Sequence, residues 1–348
     1  MHFPESTVDR RSLVVRTLAV VIIVLLGAAL LVPLPLFVIS PGSAIQVDER
    51  VTLARPGNGN DVSGDLLLLT VSVSQPTALE ALAGWLDENR DVIPRDNVVP
   101  AGSNQNEYLQ AQRRLFQESG QVASAVGLRA AGLDVRINGR GALVAGLLPG
   151  GPADGALRVG DIITAVEGDA ISLASDLTPA LGGRADGDEV RLTLRRGDQS
   201  TDVSVELGRV EGLDRPALGI AVETVGLDVK LPFDVGVEQG RIGGPSAGLM
   251  IALTVFDKAD PADLTRGRII AGTGTIDLTG RVGPVGGVQQ KVQAAKRAGA
   301  TILLTPTDEA ADARKAAGDD LTVMPVRTIE EAITKLGGQA KTPAGAPS

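Results

Sequence analysis

The stretch Gly243-Gly244-Pro245-Ser246-Ala247-Gly248 opens a nearly uninterrupted apolar run that continues to Phe256. An apolar run of this length after a Gly-Pro start predicts a buried helix with the proline near its first position. Ser246 would then lie at the helix N-terminus, where free N–H groups and the helix dipole stabilise negative charge. The stretch therefore predicts an oxyanion-binding site, with the N–H groups of Ser246 and Ala247 as donors.

Two other interpretations of this loop remain open. Ser246 could be no more than a helix cap. The glycines could instead cradle a phosphate, but no Gly-Lys-Ser/Thr sequence follows them, which disfavours a phosphate-binding loop.

The composition excludes several kinds of catalytic site. The 348 residues contain no cysteine, and the single histidine is His2. This excludes cysteine nucleophiles, thiolate metal sites, a Ser-His-Asp triad and a histidine-rich zinc site. A nucleophilic Ser246 would need a lysine, a carboxylate or the chain's own amine as its base. The net charge of −9 argues against a nucleic-acid partner, and we expect neither a metal nor a cofactor.

Residues 13–32 form an apolar stretch of twenty residues whose only charge is Arg16. At 1.5 Å per residue, twenty helical residues span roughly 30 Å, the thickness of a bilayer core. Arg10 and Arg11 precede the stretch and no basic residue follows it until Arg50. By the positive-inside rule, residues 1–12 are expected in the cytoplasm, and the chain beyond a single-pass anchor at 13–38 outside. A cleaved signal peptide is the alternative, but no Ala-x-Ala site follows.

The chain after the apolar stretch changes its texture several times. Residues 41–130 contain mostly loop up to residue 64, a strand pattern at 65–73, and helical patterns at 77–86, 107–119 and 122–131. This α/β segment does not name a chemistry. The last part of the chain alternates predicted strands and helices, and it ends in the Gly/Ala/Pro-rich residues 338–348, which we expect to be disordered.

A lysine interrupts the apolar side of the helix predicted at residues 288–298. Lys291 falls in the sector where the pattern calls for a hydrophobe. It could be a lysine that snorkels its ammonium into water. It could also be a desolvated lysine whose pKa is lowered until its neutral amine accepts a proton from a hydroxyl. With no histidine available, Ser246 and Lys291 are together consistent with a Ser-Lys dyad.

Residues 131–207 resemble a PDZ domain through the core turn Leu157-Arg158-Val159-Gly160-Asp161-Ile162-Ile163 and the helix-like segment that follows at 172–181. The resemblance implies a peptide bound as an added strand, with a backbone loop that captures its C-terminal carboxylate. By position this loop falls on Gly132 and Leu133. A PDZ-like fold without a ligand is the alternative.

The proteolytic domain of Lon protease, peptidase family S16, is the second resemblance. It rests on residues 243–248 and on the run Gly272-Thr273-Gly274-Thr275-Ile276-Asp277-Leu278-Thr279-Gly280-Arg281-Val282-Gly283-Pro284-Val285-Gly286-Gly287-Val288-Gln289-Gln290-Lys291. The resemblance covers about residues 208–337 and implies that Ser246 is the nucleophile and Lys291 the general base. It also implies that Thr273 lies near the lysine. Lon proteases usually carry an aspartate where this chain has Gly243.

The order of anchor, PDZ and Lon-type domain is similar to bacterial YlbL-like membrane-anchored proteins. No Walker motif occurs in the chain, so this similarity implies ATP-independent peptidase activity or energy supplied by another subunit. The expected fold is an α/β (α+β) Lon-type domain, a PDZ domain built as a partly open β-barrel with helices, and one N-terminal transmembrane helix. In Lon domains the sheet includes elements upstream of the serine, so residues 65–87 are expected in the protease domain, with the PDZ as an insertion. A homo-oligomeric ring such as a hexamer is expected by resemblance.

The function expected from these features is that of a membrane-anchored serine endopeptidase whose PDZ domain presents protein substrates. A PDZ-based adaptor with a catalytically silent Lon-like domain is the alternative. A chain that cleaves only its own segments is a third possibility.

Overall fold

The computed structural model describes residues 16–21, 27, 32–54, 63–99, 105–211, 213, 215–261 and 263–341. The chain divides into two compact units. Unit 1 takes residues 1–123, 236–277 and 281–340, and unit 2 takes residues 124–235, 278–280 and 341–348. Most of unit 2 is therefore inserted in the sequence between two parts of unit 1.

The regular elements are numbered in chain order. The strands are β1 (Leu36–Gln46), β2 (Val51–Leu53), β3 (Asp65–Ser74), β4 (Asp91–Pro94), β5 (Arg136–Asn138), β6 (Ala142–Leu147), β7 (Ile162–Val166), β8 (Asp169–Ala170), β9 (Glu189–Arg196), β10 (Gln199–Glu206), β11 (Ile220–Thr224), β12 (Asp228–Lys230), β13 (Val235–Val237), β14 (Ile269–Gly272), β15 (Thr275–Ile276), β16 (Val282–Gly283), β17 (Ile302–Pro306) and β18 (Thr322–Val326). The α-helices are α1 (Ala78–Leu86), α2 (Gln105–Ala130), α3 (Leu177–Ala180), α4 (Gly248–Ala259), α5 (Val288–Arg297), α6 (Ala310–Ala317) and α7 (Ile329–Leu336).

Unit 1 is built on a six-stranded sheet with the order β18-β17-β14-β3-β1-β4. β3, β14, β17 and β18 run parallel, whereas β1 is antiparallel to both of its neighbours. β3 pairs with β14 from Asp65↔Ile269 to Leu68↔Gly272. One sheet thus combines a strand that precedes unit 2 in the sequence with strands that follow it.

Two helices cover one side of this sheet and a third lies in the core. Small and branched side chains of α5 and α6 pack on apolar residues of β3, β14 and β17. In α4 every residue except Lys258 is buried, as expected for a helix that is hydrophobic on all sides. The predicted buried helix is confirmed, but it begins at Gly248. Pro245 therefore precedes the helix and does not occupy its first position.

The helical segments predicted at 107–119 and 122–131 form one continuous helix, α2. Gly120 lies in its interior. A glycine in a helix interior costs only about 1 kcal/mol relative to alanine, which is too little to end a helix of 26 residues. The prediction of two separate helices is therefore wrong.

The N-terminal boundaries also differ from the expectation. β1 begins at Leu36 and continues to Gln46, so the expected anchor at 13–38 overlaps a sheet strand, and residues 41–46 are not loop. Of the apolar stretch, residues 16–21 are helical, while most of its other positions lie outside the described residues. In the described part of the chain, no helix has both the length and the apolar character needed to cross a membrane.

Unit 2 contains a sheet with the order β10-β9-β7-β6-β11, to which β8 adds beside β7. β11 pairs antiparallel with β6, with Ile220 opposite Leu147. β11 therefore belongs to unit 2, which continues past the predicted boundary at residue 208 to residue 235. The helix expected at 172–181 is a 3-10 turn followed by α3.

The predicted disordered tail is partly ordered. The N–H of Lys341 donates to the carbonyl of Ala130 at 2.7 Å, so disorder is the wrong prediction for the first residues of the 338–348 segment. Residues 342–348 lie outside the described part of the chain.

Candidate active site

The loop before α4 holds Ser246 between two fixed peptide groups. The carbonyl of Pro245 accepts hydrogen bonds from Gly248 N–H at 3.1 Å and from the hydroxyl of Ser119 at 3.1 Å. The carbonyl of Ser246 accepts from the N–H of Gly274 at 2.9 Å and from the Thr273 hydroxyl at 3.2 Å. Because each carbonyl is held on one side, the peptide planes on both sides of Ser246 have fixed orientations.

Fixing these carbonyls leaves two N–H groups free. In a trans peptide the N–H points away from the preceding C=O, so the N–H groups of Ser246 and Ala247 face away from the atoms that hold the carbonyls. Neither N–H has a partner among the described residues. Ala247 precedes the first residue of α4 and its side chain makes no cap. These are the two donors that the sequence predicts for an oxyanion.

Ser246 itself is not a helix cap. It lies in the turn before the N-cap position, and its hydroxyl has no hydrogen-bond partner in the part of the chain that the structure describes. Its side chain is partly exposed and faces a cleft of about 700 Å³ that Lys291 also lines. The cap interpretation of this serine is therefore wrong.

Helix α2 braces the serine loop from the other side. The carbonyl of Gln112 accepts the N–H of Gly244 at 2.8 Å, and Ser119 makes the hydrogen bond to Pro245 described above. Ser119 is buried. No sequence pattern in residues 41–130 points to these contacts, because they depend on a helix that lies more than a hundred positions upstream of the serine.

Lys291 is buried on the apolar side of α5, with 2% of its surface exposed. Its amine donates to the hydroxyl of Thr273 at 2.9 Å. Burial lowers the pKa of Lys291 to about 8, while the charge of Glu309 opposes part of that effect. A substantial fraction of this amine is therefore neutral near pH 8, as a general base requires. The snorkelling interpretation of Lys291 is wrong.

The turn before α5 positions this lysine. Gly287 caps the helix in a left-handed conformation with φ of 66°, and a Cβ there would approach Val71 Cγ1 to 2.7 Å. Both observations require glycine. Glu309 fixes the same turn, since its Oε1 accepts the Val285 N–H at 3.0 Å, while its buried Oε2 has no partner among the described residues. Glu309 is a second residue that the sequence pattern does not identify.

Thr273 connects the serine and the lysine. Its hydroxyl accepts from the Lys291 amine and donates to the Ser246 carbonyl. The amine and the Ser246 hydroxyl make no direct hydrogen bond, as is common in active sites without substrate. Since one amine hydrogen points at Thr273, a neutral Lys291 keeps its lone pair available for another proton.

Unit 2 contains an apolar groove of about 440 Å³. The sequence predicts the peptide carboxylate site elsewhere, at Gly132 and Leu133. It is lined by side chains from β6, α3 and β11 and by the loop Ala217-Leu218-Gly219. The N–H groups of Leu218 and Gly219 have no partners in the described ranges. Gly219 has a φ of 69°, which favours glycine. Among the described residues of the lining, Arg215 is the only charged one.

The predicted carboxylate loop at Gly132 and Leu133 is a helix end. The N–H of Gly132 donates to Arg129 and that of Leu133 to Leu128, both at the C-terminus of α2. This is a Schellman-type cap with glycine in the left-handed region. Neither N–H is free to hold a carboxylate, so the prediction for these two residues is wrong.

The described residues contain no cluster of three or more His, Cys, Asp or Glu side chains arranged to hold a metal ion.

Family comparisons match two parts of the chain. The model of the Lon protease (S16) C-terminal proteolytic domain matches residues 233–336. These residues form a Lon-type proteolytic domain. The model of the PDZ domain matches residues 130–207, which form a PDZ domain. The Lon-type match places the site of Ser246, Thr273 and Lys291 within a domain of serine-type peptidases.

Individual relatives agree with this division. The chain is 30% identical over 145 residues to Lon protease 2 of Bacillus subtilis, covering 40% of this chain and 25% of the relative. It is 32% identical over 181 residues to the Lon protease of Methanosarcina barkeri, covering 49% and 20%. It is 31% identical over 148 residues to a probable periplasmic serine endoprotease DegP-like protein of Hahella chejuensis, covering 40% and 31%. The chain thus spans less than a third of the length of each of these relatives.

The Lon-type family match begins at residue 233, but the sheet of unit 1 also contains strands that precede this residue. β1, β3 and β4 lie outside the matched residues and supply half of the strands of the unit 1 sheet. The brace from α2 also lies upstream of the match. The active-site cleft is therefore assembled from the Lon-type residues together with the segment before the PDZ domain.

Proposed function

We propose that the chain is a membrane-anchored serine endopeptidase that uses Ser246 as nucleophile and Lys291 as general base. The observation that carries the proposal is the buried amine of Lys291, with a pKa of about 8, in the same cleft as Ser246. The N–H groups of Ser246 and Ala247 have no partner among the described residues. The Lon-type and PDZ matches support the peptidase class and a protein or peptide substrate.

The geometry supports a stepwise acyl transfer. The Ser246 Oγ forms a bond to the scissile carbonyl carbon while its proton passes to Lys291 Nζ. The carbonyl oxygen becomes negatively charged and accepts hydrogen bonds from the N–H groups of Ser246 and Ala247. The C–N bond then breaks, and the Lys291 ammonium returns its proton to the leaving nitrogen.

Deacylation uses the same groups in the reverse order. Water attacks the acyl carbon and gives a proton to Lys291, and the Ser246 oxygen leaves with that proton. Throughout, the Thr273 hydroxyl orients the amine and holds the Ser246 carbonyl. Its role in the proposal is to position the base.

The PDZ groove supplies substrate recruitment in this proposal. An apolar groove beside two N–H groups that bond to none of the described residues suits a peptide whose C-terminal carboxylate accepts those hydrogen bonds. The anchor belongs to residues 13–32, whose length and flanking arginines favour a single pass with the later domains outside the cell. A homo-oligomeric ring is part of the proposal by resemblance to Lon domains.

Replacing the amine tests the proposal. Lys291→Met keeps most of the side-chain volume but removes the base, and we expect cleavage of a fluorescent unfolded casein to fall by about 10² to 10⁴-fold. Lys296→Met on the same helix is the matched control. That lysine pairs with Asp320 at 3.0 Å near the surface, so the rate should stay within about twofold of the wild type.

Active-site labelling distinguishes the enzyme from an adaptor. A fluorophosphonate should label the wild-type chain at Ser246, and mass spectrometry should find no label in Ser246→Ala. Absence of labelling from neutral to alkaline pH in the folded wild type, or wild-type cleavage by Lys291→Met, would replace the enzyme with a PDZ adaptor.

A further inference from the structure

Helix α1 exposes its large apolar side chains and packs with its small ones. Ala81 and Gly84 are the buried residues of this helix, and a Cβ on Gly84 would approach Val92 Cγ2 to 2.8 Å. Four large apolar side chains point to the outside. They are exposed to 54%, 52%, 65% and 80% in Leu79, Leu82, Trp85 and Leu86, respectively, and are here called the α1 face.

The α1 face is a continuous surface. At 100° per residue its four side chains fall within an arc of about 120°, and both Ala81 and Gly84 lie outside that arc. Single exposed hydrophobic residues are normal, but a contiguous apolar patch marks a contact surface. A helix that only covered the sheet would bury its leucines and expose its alanine.

The α1 face lies at the point where the apolar stretch enters the fold. Pro33 forms a β-bridge with Thr77, the residue that caps α1. The N–H of Leu34 donates to the Pro76 carbonyl at 2.8 Å, and the Gln75 side chain donates to the Leu34 carbonyl at 2.9 Å. The stretch at residues 13–32 therefore ends within a few residues of the start of α1.

We propose that the α1 face inserts into the interfacial layer of a lipid bilayer. The proposal rests on the anchor in the proposed function, because that anchor would hold α1 at the level where the chain leaves the hydrocarbon core. Tryptophan is enriched at that level, where its ring contacts acyl chains and its N–H contacts headgroups. Trp85 is the only tryptophan of the chain.

The charges near α1 predict which lipids suffice. α1 contains Glu80 and no basic residue. Asp87 and Glu88 follow it, and Asp87 pairs with Arg90 at 2.9 Å, so the basic residue nearest to the helix is already neutralised. Interfacial helices that depend on anionic lipids carry lysine and arginine on their polar side. Insertion of the α1 face should therefore occur in zwitterionic phosphatidylcholine and should not weaken at high salt.

Trp85 reports its own environment. The full chain is reconstituted into phosphatidylcholine vesicles, and its fluorescence is measured with lipids that carry bromine either near the headgroup end or near the methyl end of the acyl chains. We expect a blue-shifted emission and about twofold stronger quenching by the bromines near the headgroups. Flotation of the vesicles measures anchoring separately, and casein cleavage measures catalysis.

Two variants test the surface itself. Leu82→Glu combined with Leu86→Glu changes only exposed positions, so the fold should persist, flotation should be unchanged and Trp85 should lose its quenching. Val159→Glu changes an equally exposed apolar residue in unit 2, and quenching should be retained.

Other outcomes reject the inference in recognisable ways. Chains that float while Trp85 remains unquenched and red-shifted would overturn the α1 assignment and leave the anchor and the peptidase intact. A blue shift that brominated lipids do not quench would assign the face to a second copy of the chain. Failure of the wild type to float would overturn the anchor, and the α1 assignment with it.

Discussion

Two loops of this molecule present a pair of backbone N–H groups without partners among the described residues, yet they are equipped for different tasks. The first belongs to Ser246 and Ala247, and the second to Leu218 and Gly219. Both suit an oxygen that carries negative charge. The first adjoins a hydroxyl and the buried amine of Lys291, whereas the second adjoins apolar side chains and one arginine.

The difference separates binding from chemistry. A pair of N–H groups can stabilise a carboxylate or an oxyanion equally well, since both are anionic oxygens. Bond cleavage needs in addition a nucleophile and a base whose pKa lies near the working pH. The cleft of unit 1 contains a serine hydroxyl and an amine with a pKa of about 8, whereas the described lining of the unit 2 groove contains neither serine nor lysine. The same backbone arrangement is therefore consistent with the catalysis proposed for one unit and with capture of a C-terminus in the other.

After the loss expected for Lys291→Met, the next largest effect is expected when Thr273 is replaced. Thr273→Val preserves the shape of the side chain but removes the hydroxyl that contacts both Lys291 and the Ser246 carbonyl. The amine is then buried without its partner, which costs stability. We expect the casein cleavage rate to fall about 10 to 100-fold and the midpoint of thermal unfolding to fall as well.

A neighbouring threonine provides the control. Thr305 is fully buried and its hydroxyl has no hydrogen-bond partner in the described part of the chain. Thr305→Val removes a hydroxyl of equal burial, and both rate and stability should stay at or above the wild-type values. Thr273→Ser should recover most of the rate. Equal losses in the two valine variants would show that Thr273 acts only through packing.

Much of the candidate site around Ser246 and Lys291 could be predicted from local sequence. The glycine-proline start and apolar run indicate α4 and its N-terminus, and a charge in the apolar sector of α5 indicates Lys291. Both signals are local, since helix periodicity involves residues three or four positions apart. The contributions of Ser119 and Glu309 could not be predicted in this way, because each contacts the site from a distant segment.

The carboxylate loop predicted for the PDZ domain shows where local sequence is not sufficient. The position of Gly132 before the predicted PDZ strands favours a carboxylate loop, but a glycine after a long helix also suits a helix C-terminus. The sequence does not distinguish these two uses of positive φ. The observed hydrogen bonds to Arg129 and Leu128 do. Unit 2 continues past the boundary predicted at 208 for a related reason. The strand β11 belongs to unit 2 because it pairs with β6, and local sequence does not reveal that pairing.

The next effect in size concerns peptide binding at the loop of Leu218 and Gly219, and it does not involve the Ser246 site. A fluorescent peptide with an apolar C-terminal residue should bind the chain at least about tenfold more tightly as the free acid than as the amide, because amidation removes a charged hydrogen-bond acceptor. Fluorescence anisotropy with the inactive Ser246→Ala chain measures both affinities without cleavage.

Variants locate the peptide on the chain. Leu148 lines the groove and is about half exposed, so Leu148→Glu should weaken binding of both peptides without unfolding the domain. Leu133→Ala should leave both affinities unchanged, since the Leu133 N–H already bonds to α2. A reversed pattern, with loss only in Leu133→Ala, would return the carboxylate site to the helix end.

The smallest expected effect concerns the charge of Glu309, which influences the pKa of Lys291 in unit 1. The charge of Glu309 raises the pKa of Lys291 against the larger lowering by burial. Glu309→Gln removes that charge but keeps an oxygen for the Val285 N–H, so the pKa of Lys291 should fall further. Activity requires neutral Lys291 and rises with pH through this pKa, so the rising limb of kcat/KM should shift to lower pH. At pH 7 the variant should be ~2 to 3-fold faster than the wild type.

The pH profile distinguishes the effect of the Glu309 charge from the effect of its hydrogen bond to Val285. Glu309→Ala also removes the hydrogen bond to Val285, so it should lower kcat/KM at every pH as well as shift the limb. Asp308→Asn changes an exposed neighbouring charge and should leave the midpoint of the profile unchanged from that of the wild type. A limb that moves to higher pH in Glu309→Gln would mean that the titrating group is not an amine stabilised by that carboxylate. The assignment of Lys291 as the base would then lose its electrostatic support.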